Sequence, residues 1–192
     1  MPDPNPAALA FLETRRSRPA KTLTGPVPDR AALKQILTVA ARTPDHGKLE
    51  PWRFLVLEKP ALARLAGTLP AQGEAVGQPP EKIAKAVEEY ARAELAVVVV
   101  SSPKPSEKIP EIEQTLSAGA VCMQLLNAAL AAGWGANWLS GWASHDATWR
   151  ESQLGLMPHE SIAGIIHIGT ETNTPPERPR PDIDAITEWI DA

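Results

Sequence analysis

The 192-residue chain has a single cysteine, a single tyrosine and two phenylalanines. A lone thiol excludes a disulfide framework and a cysteine-based metal site, and it fits a reducing compartment. Cys122 lies inside an apolar helical pattern, so a small buried apolar side chain is expected there. An excess of basic residues is also missing. The net charge of −4 and the pI near 5.6 argue against a nucleic-acid surface. No glycine triplet stands between a strand and a helix, which removes the dinucleotide-fold fingerprint. There is no Gly-Lys-Ser/Thr phosphate loop and no Gly-x-Ser-x-Gly elbow. The four histidines, His46, His145, His159 and His167, include no pair at metal-ligand spacing on one helix. Hydrolase and metalloenzyme readings therefore lose their usual supports. Residues Met1 to Asn5 lack a basic region followed by an apolar core, which predicts no secretory leader and a cytoplasmic location.

What the chain does have is proline, 20 residues of it. The prolines gather at Pro26 and Pro28, Pro79 and Pro80, Pro103 to Pro110 and Pro175 to Pro181, a placement that predicts stiff connections between regular elements. Hydrophobic residues make up 43% and charged residues 22%. That balance suits one soluble domain with one sizeable core, spanning residues 1–192.

Helical spacing predicts a first helix over Ala7 to Arg15 and a second from an Asp29 cap through Arg42. Arg53 to Glu58 reads as a short strand. A helix opening with Pro60 runs to Leu69, and a charged helix covers Glu81 to Arg92. The four valines within Ala96 to Ser101 predict a strand buried on both faces. His145-Asp146 can cap a short helix through Gln153, and Ile162 to Gly169 reads as a further internal strand. Ile183, Ile186 and Ile190 recur at helical spacing, which predicts a docked helical tail over Asp182 to Ile190.

The longest helical pattern is Ile112 to Ala132. Gln114, Gln124 and Asn127 interrupt its apolar character, so it is expected to be a buried central helix rather than a membrane span. Its many small residues, among them Ser117, Ala118, Gly119 and Ala120, allow another helix to approach closely. That helix belongs either to the same chain or to a symmetry-related copy. The order of elements does not repeat as strand-helix-strand, and the fold class expected is an α+β sandwich: a small mixed or antiparallel sheet flanked by helices.

Two segments carry the functional reading. Arg15-Arg16-Ser17 places two guanidiniums and a hydroxyl where a helix gives way to a loop, which suits a phosphate or another anionic planar ligand. Pro44-Asp45-His46 ends the second helix and runs into Pro51-Trp52-Arg53-Phe54 and a strand. In this order and spacing, the chain resembles the nitroreductase family of FMN-dependent oxidoreductases. The similarity is greatest to a small bacterial branch with Pro-Asp-His before the Pro-Trp pair. It departs at Lys48 and Glu50, where many relatives carry an amide pair.

The resemblance implies an FMN-binding homodimer with its central helices at the interface and both subunits contributing to each site. It puts Arg15, Arg16 and Ser17 on the ribityl chain, phosphate and pyrimidine edge of the flavin. Arg42 and His46 would contact the flavin too, His46 from the opposite subunit. Trp138, Leu139 and Ser140 would run alongside the ring, and Gly169, Thr170 and either Arg178 or Arg180 would face the phosphate. No catalytic side chain is implied, because the cofactor does the hard step. The implied activity is a ping-pong reduction of nitroaromatic, quinone-like or related electrophiles by NAD(P)H, with no nucleic-acid or membrane partner. A flavin-storing or flavin-sensing protein, and the same fold with different flavin chemistry, stay open. Taken singly, Arg15 and Arg16 also suit a solvated helix end, His46 an ordinary loop histidine, and Arg178 and Arg180 solvent-exposed charges. Trp52 is expected in the core.

Overall fold

A computed structural model of the protein describes residues 3–191. In chain order the elements are α1 (Pro6–Thr14), β1 (Leu23–Thr24), α2 (Arg30–Ala40), β2 (Trp52–Glu58), α3 (Lys59–Ala75), α4 (Pro80–Arg92) and β3 (Leu95–Ser101). They continue with α5 (Glu111–Ala131), β4 (Gly135–Leu139), α6 (Trp142–His145), α7 (Ala147–Leu154) and β5 (Ser161–Glu171). The architecture is α+β, as expected. Every strand pairing is antiparallel, with β2 on β3, β3 on β5, and both β4 and β1 on the far side of β5.

β3 is buried along its whole length, and Val97 to Val100 have no exposed surface at all. Its alternate side chains feed two cores. Val98 and Val100 pack with Ile165 beneath α3, α4 and α7, whereas Val97 and Val99 pack with Ile166 and Ile168 beneath α2 and α5. The four-valine run is thus satisfied on both faces. Cys122 belongs to the second core, where burial pushes its thiol up to about 12. Trp52 is half-buried against that core and donates its indole N–H to Ser117 Oγ at 3.2 Å.

The caps explain several boundaries. Asp29 Oδ1 accepts from the Ala32 N–H at 2.8 Å to start α2, and Asp146 Oδ1 accepts from the Trp149 N–H at 2.7 Å to start α7. α7 stops at Gly155, which takes the left-handed conformation at φ 67°. Two expectations are corrected. α3 does not end at Leu69 but continues past Pro70 to Ala75, held by buried Leu62, Leu65, Leu69 and Gly73 while Pro70 stays exposed. The tail is not a docked helix: only Asp184–Ile186 make a single 3₁₀ turn, and Ile183, Ile186, Trp189 and Ile190 are 64–87% exposed. A helix that short is marginal without a surface to pack on, and this tail buries nothing against its own chain. Among the described residues, no helix is long and apolar enough to cross a membrane.

Two buried ionisable groups set the acid response. Burial holds the His167 ring down to about 4, against an ordinary 6.5, so the fold keeps it neutral. Arg53 clamps Glu160 with two bonds of 2.8 and 2.6 Å, which lowers that carboxyl to about 2 from 4.5. Below pH 6.5 the unfolded chain gains a proton at His167 that the fold refuses until about 4. Stability therefore falls with pH across that window, by up to about 3 kcal/mol for this group. Glu160 adds a second loss between 4.5 and 2. Thermal melts taken from pH 8 down to pH 4 are expected to show the first loss. His167→Gln is expected to flatten it, and an unchanged slope in that variant would assign the loss elsewhere.

Candidate functional site

α1 ends at Arg15, whose backbone turns extended while its N–H still bonds Phe11 O at 2.8 Å. The chain then runs beside the start of β4. The Arg18 N–H donates to Ala136 O at 2.8 Å, and the Asn137 amide donates to Arg18 O at 2.6 Å. These bonds fix the Arg15–Arg18 segment along the strand that carries Trp138 and Leu139.

Four guanidiniums gather at this junction. Arg15 donates to Ser17 Oγ at 3.2 Å. Arg16 bonds Pro176 O at 2.5 Å and faces Glu177 at 3.3 Å, and Arg180 holds the same Glu177 carboxylate at 2.9 Å. Arg18 pairs with Glu171. Burial, then the like charges of Arg180, Arg16 and Arg18, lower the pKa of Arg15. Its Nε is buried with no partner among the described residues. A cavity of about 310 Å³ opens here, lined by Arg15, Arg16, Arg18, Trp134, Gly135 and Glu171 among others. A surplus of fixed positive charge, one buried donor left unpaired and a space beside both make an anion-binding arrangement.

The structure sorts the expected site residues into groups. Arg15, Arg16, Ser17 and Arg180 come together. Arg178 does not join them: its backbone N–H bonds the Glu177 carboxylate, and its side chain makes no bond among the described residues. Gly169 pairs with Gly135 of β4, which borders the arginine cavity, and both Gly169 and Thr170 lie against β1. A Cβ on Gly169 would stand 2.8 Å from Thr24 O, and Thr170 Oγ1 donates to Pro26 O at 2.7 Å. The missing side chain of Gly169 lets β1 lie close to β5, and Thr170 ties β5 to the segment after β1. Trp138, 37% exposed, lies over Gly164, while Leu139 and exposed Ser140 form the far end of the strand. Arg18 and Glu177 belong to the cluster and were not singled out from sequence. The run Arg15-Arg16-Ser17-Arg18 contained a signal for the first. Nothing in the sequence signals that a glutamate 161 positions beyond Arg16 closes on it.

Arg42 and His46 lie elsewhere. Arg42 follows α2 and is exposed. His46 Nδ1 meets Glu113 Oε2 at 2.7 Å at the first turn of α5. The arginine cavity borders Leu130, near the last turn of the same helix. Seventeen residues of helix separate Glu113 from Leu130, roughly 26 Å. Within one chain, His46 and the arginines cannot touch one small ligand.

The loop bearing His46 is unusually constrained. Gly47, Lys48 and Glu50 all take left-handed backbone, at φ 73°, 54° and 48°. Asp45 holds them there by accepting from the Leu49 and Glu50 N–H groups at 3.2 and 2.7 Å. Lys48 and Glu50 are the two positions at which the sequence departs from many relatives. Left-handed non-glycine residues cost stability and persist only when their surroundings enforce them.

The model of the nitroreductase family matches residues 12–170. The chain belongs to the nitroreductase family. It is 35% identical over 163 residues to YdjA of Escherichia coli K12, provisionally named an NAD(P)H nitroreductase, which covers 85% of this chain and 87% of YdjA. A Haemophilus influenzae protein with the same provisional name is 37% identical over 164 residues, covering 85% and 88%. Among solved structures, a nitroreductase-like protein from Bacillus cereus superposes with a TM-score of 0.81 at 22% identity over the full length of both chains. A Desulfovibrio desulfuricans nitroreductase homologue, crystallised with FMN, gives 0.73 at 23% identity over 97% of this chain and 98% of that one. The nitroreductase fold and family anticipated from sequence are therefore shown.

Removing the Asp45 carboxylate should release the constrained loop. Asp45→Ala is expected to cost about 1–2 kcal/mol in denaturant unfolding. Hydrogen exchange at Leu49 and Glu50 should rise in that variant. Unaltered protection there would show that the loop holds itself.

Proposed function

We propose that residues 1–192 form a single FMN-binding domain that works as a cytoplasmic homodimer. It uses NAD(P)H to reduce nitroaromatic, quinone-like or related electrophiles in alternating half-reactions. The observation that carries this reading is the guanidinium cluster at the end of α1, with its unpaired buried Arg15 Nε and adjoining cavity. A phosphomonoester fits that donor set in charge, and charge-assisted bonds of this kind contribute roughly 1.5–3 kcal/mol each. From Gly135, which borders the cavity, β4 reaches Ser140 roughly 16 Å away. That leaves a strand-long path for a ligand with an anionic end near Arg15, Arg16 and Arg180 and a flat end at Trp138, Leu139 and Ser140.

FMN in this position would supply the redox chemistry, accepting hydride from NAD(P)H and passing an electron pair to the electrophile. The protein's part is to bind and orient. Arg15, Arg16 and Arg180 hold the phosphate end, Ser17 adds a hydroxyl, and the backbone of Leu139 and Ser140 offers polar groups to the ring edge. The names of the Escherichia coli and Haemophilus influenzae relatives, and the FMN held by the Desulfovibrio homologue, support the same reading.

The homodimer rests on surface and on distance. α5 exposes Ile112 and Leu116 at 63% and 65%, with Ala120 and Met123 further along the same stripe. α1 has no buried residue and shows Leu9 and Leu12 to solvent. The tail adds Ile183, Ile186, Trp189 and Ile190 to this uncovered apolar surface. Two α5 helices crossing antiparallel near Gly119 and Ala120 bring the first turn of one beside the last turns of the other. A two-fold pair thus delivers Arg42 and His46 to the opposite chain's arginine cavity, which one chain alone cannot do.

Purified protein is expected to be yellow, to bleach with NADH or NADPH and to recover with a nitroarene. Retained colour without bleaching would assign a storage or sensing role instead. Arg15→Ala and Arg16→Ala are each expected to weaken FMN binding about tenfold or more with the fold intact. Unchanged occupancy in both would remove the anchor. Ala120→Trp is expected to give a monomer that loses FMN, and a monomer retaining tight FMN would overturn the shared site.

A further inference from the structure

On the α4 side of the sheet, behind the end of β4, lies a cavity of about 20 Å³. It is lined by Glu89, Tyr90, Leu139, Ser140, Trp142 and His167, with small apolar neighbours. The volume suits one water molecule. Its walls carry more polar capacity than the chain satisfies. The Trp142 indole N–H is buried without a partner among the described residues. His167 and Tyr90 are only 5% and 7% exposed. Burial alone lowers the imidazole, with no hydrogen bond offsetting it, and burial together with Glu89 raises the phenol. One water, with two protons and two lone pairs, can serve the indole, one imidazole nitrogen and the phenol together.

The lining of the cavity reaches toward solvent at two places. At one, half-buried Glu89 has its carboxyl pKa raised by desolvation first, with Lys85 at 3.9 Å opposing the shift and Glu88 adding to it. At the other stand exposed Ser140 and Gly141, at the end of the strand that leads from the arginine cavity. The titratable groups facing His167 across this cavity are therefore Glu89 and Tyr90 of α4, and β4 and α6 contribute none to its lining.

We propose that this cavity is a proton-entry site, in which Glu89 passes a proton through one held water and His167 to Ser140, beside the flavin ring. The inference rests on the function proposed above. Reduction of a quinone-like electrophile by NAD(P)H consumes a hydride and one proton. Bound FMN would supply the hydride chemistry, and the path through the protein supplies only the proton. The Glu89 O–H bond breaks, the water, a neutral imidazole and the Ser140 hydroxyl each take one proton and release another, and the reduced substrate oxygen gains an O–H bond. The carboxylate then recovers a proton from bulk water, and no electron moves along this path. A half-exposed carboxyl with a raised pKa suits the entrance, and an imidazole kept neutral by burial relays without holding charge.

The first test needs no flavin. In the flavin-free protein, the Trp142 indole proton should show magnetisation transfer from a bound water, and His167→Phe, which fills the cavity, should abolish it. Absence of that water in the wild type overturns the proposal. In the loaded dimer, Glu89→Gln should slow reoxidation by a quinone about a hundredfold. It should also change the solvent deuterium isotope effect on that step, with FMN affinity and bleaching by NAD(P)H unchanged. Glu81→Gln, at the exposed start of α4, is the control and should match the wild type. Equal reoxidation rates and isotope effects in Glu89→Gln and the wild type overturn the path. A colourless protein sinks the flavin reading and the path with it, whereas a yellow protein without the water sinks the path alone.

Discussion

Everything in this fold is arranged around one strand that must be hidden from water on both faces. β3 offers no solvent-facing side, so two helical layers have to exist, and each takes alternate valines. The layers then divide the labour. α2 and α5 occupy one face and leave an apolar stripe outward, while α3, α4 and α7 seal the other. β5 is long enough to pair with three strands, and this lets β4 emerge at the sheet margin with the Arg15–Arg18 segment bonded along it. The candidate site is a consequence of that margin, because a strand end beside a helix end is where backbone and charge can meet a ligand.

The guanidinium cluster is a second constraint, and an electrostatic one. Four like charges at the end of a short helix repel one another, and the chain offsets this with carboxylates drawn from distant positions. Glu171 comes from the last residue of β5, and Glu177 comes from the irregular tail, where it bridges Arg16 and Arg180. Residues separated by some 160 positions are thereby coupled to one anion-binding corner. In the proposed site, ligand binding and tail placement would be linked through Glu177.

Much of the architecture was legible in the residues. The valine run announced a strand buried twice, the Asp29 and Asp146 caps marked helix starts, and the lone cysteine behaved as an apolar core atom. These signals are local and need only neighbours in sequence. That Arg15 and Arg16 stand where a helix gives way to a loop was legible for the same reason. What escaped were features set by tertiary contact. β1 has two residues, too few for any periodicity, and it forms because Gly135 and Gly169 permit close approach. α3 passes through Pro70 because buried residues on both sides of that proline hold the helix together. The isoleucines of the tail share helical spacing, yet spacing without a surface to pack on does not make a helix. The contacts of Gly169 and Thr170 with β1 and Pro26 likewise had no local signal.

The separation of His46 from the arginine cavity along α5 has a genetic corollary for the proposed dimer. Suppose one chain lacks its arginine anchor and the other lacks His46. In their mixed pair, one crevice inherits both defects, while the second is assembled wholly from undamaged parts. Two inactive alleles expressed together would then complement each other, with at most one working crevice per heterodimer. The same two lesions placed on a single polypeptide, co-expressed with nothing else, would leave none.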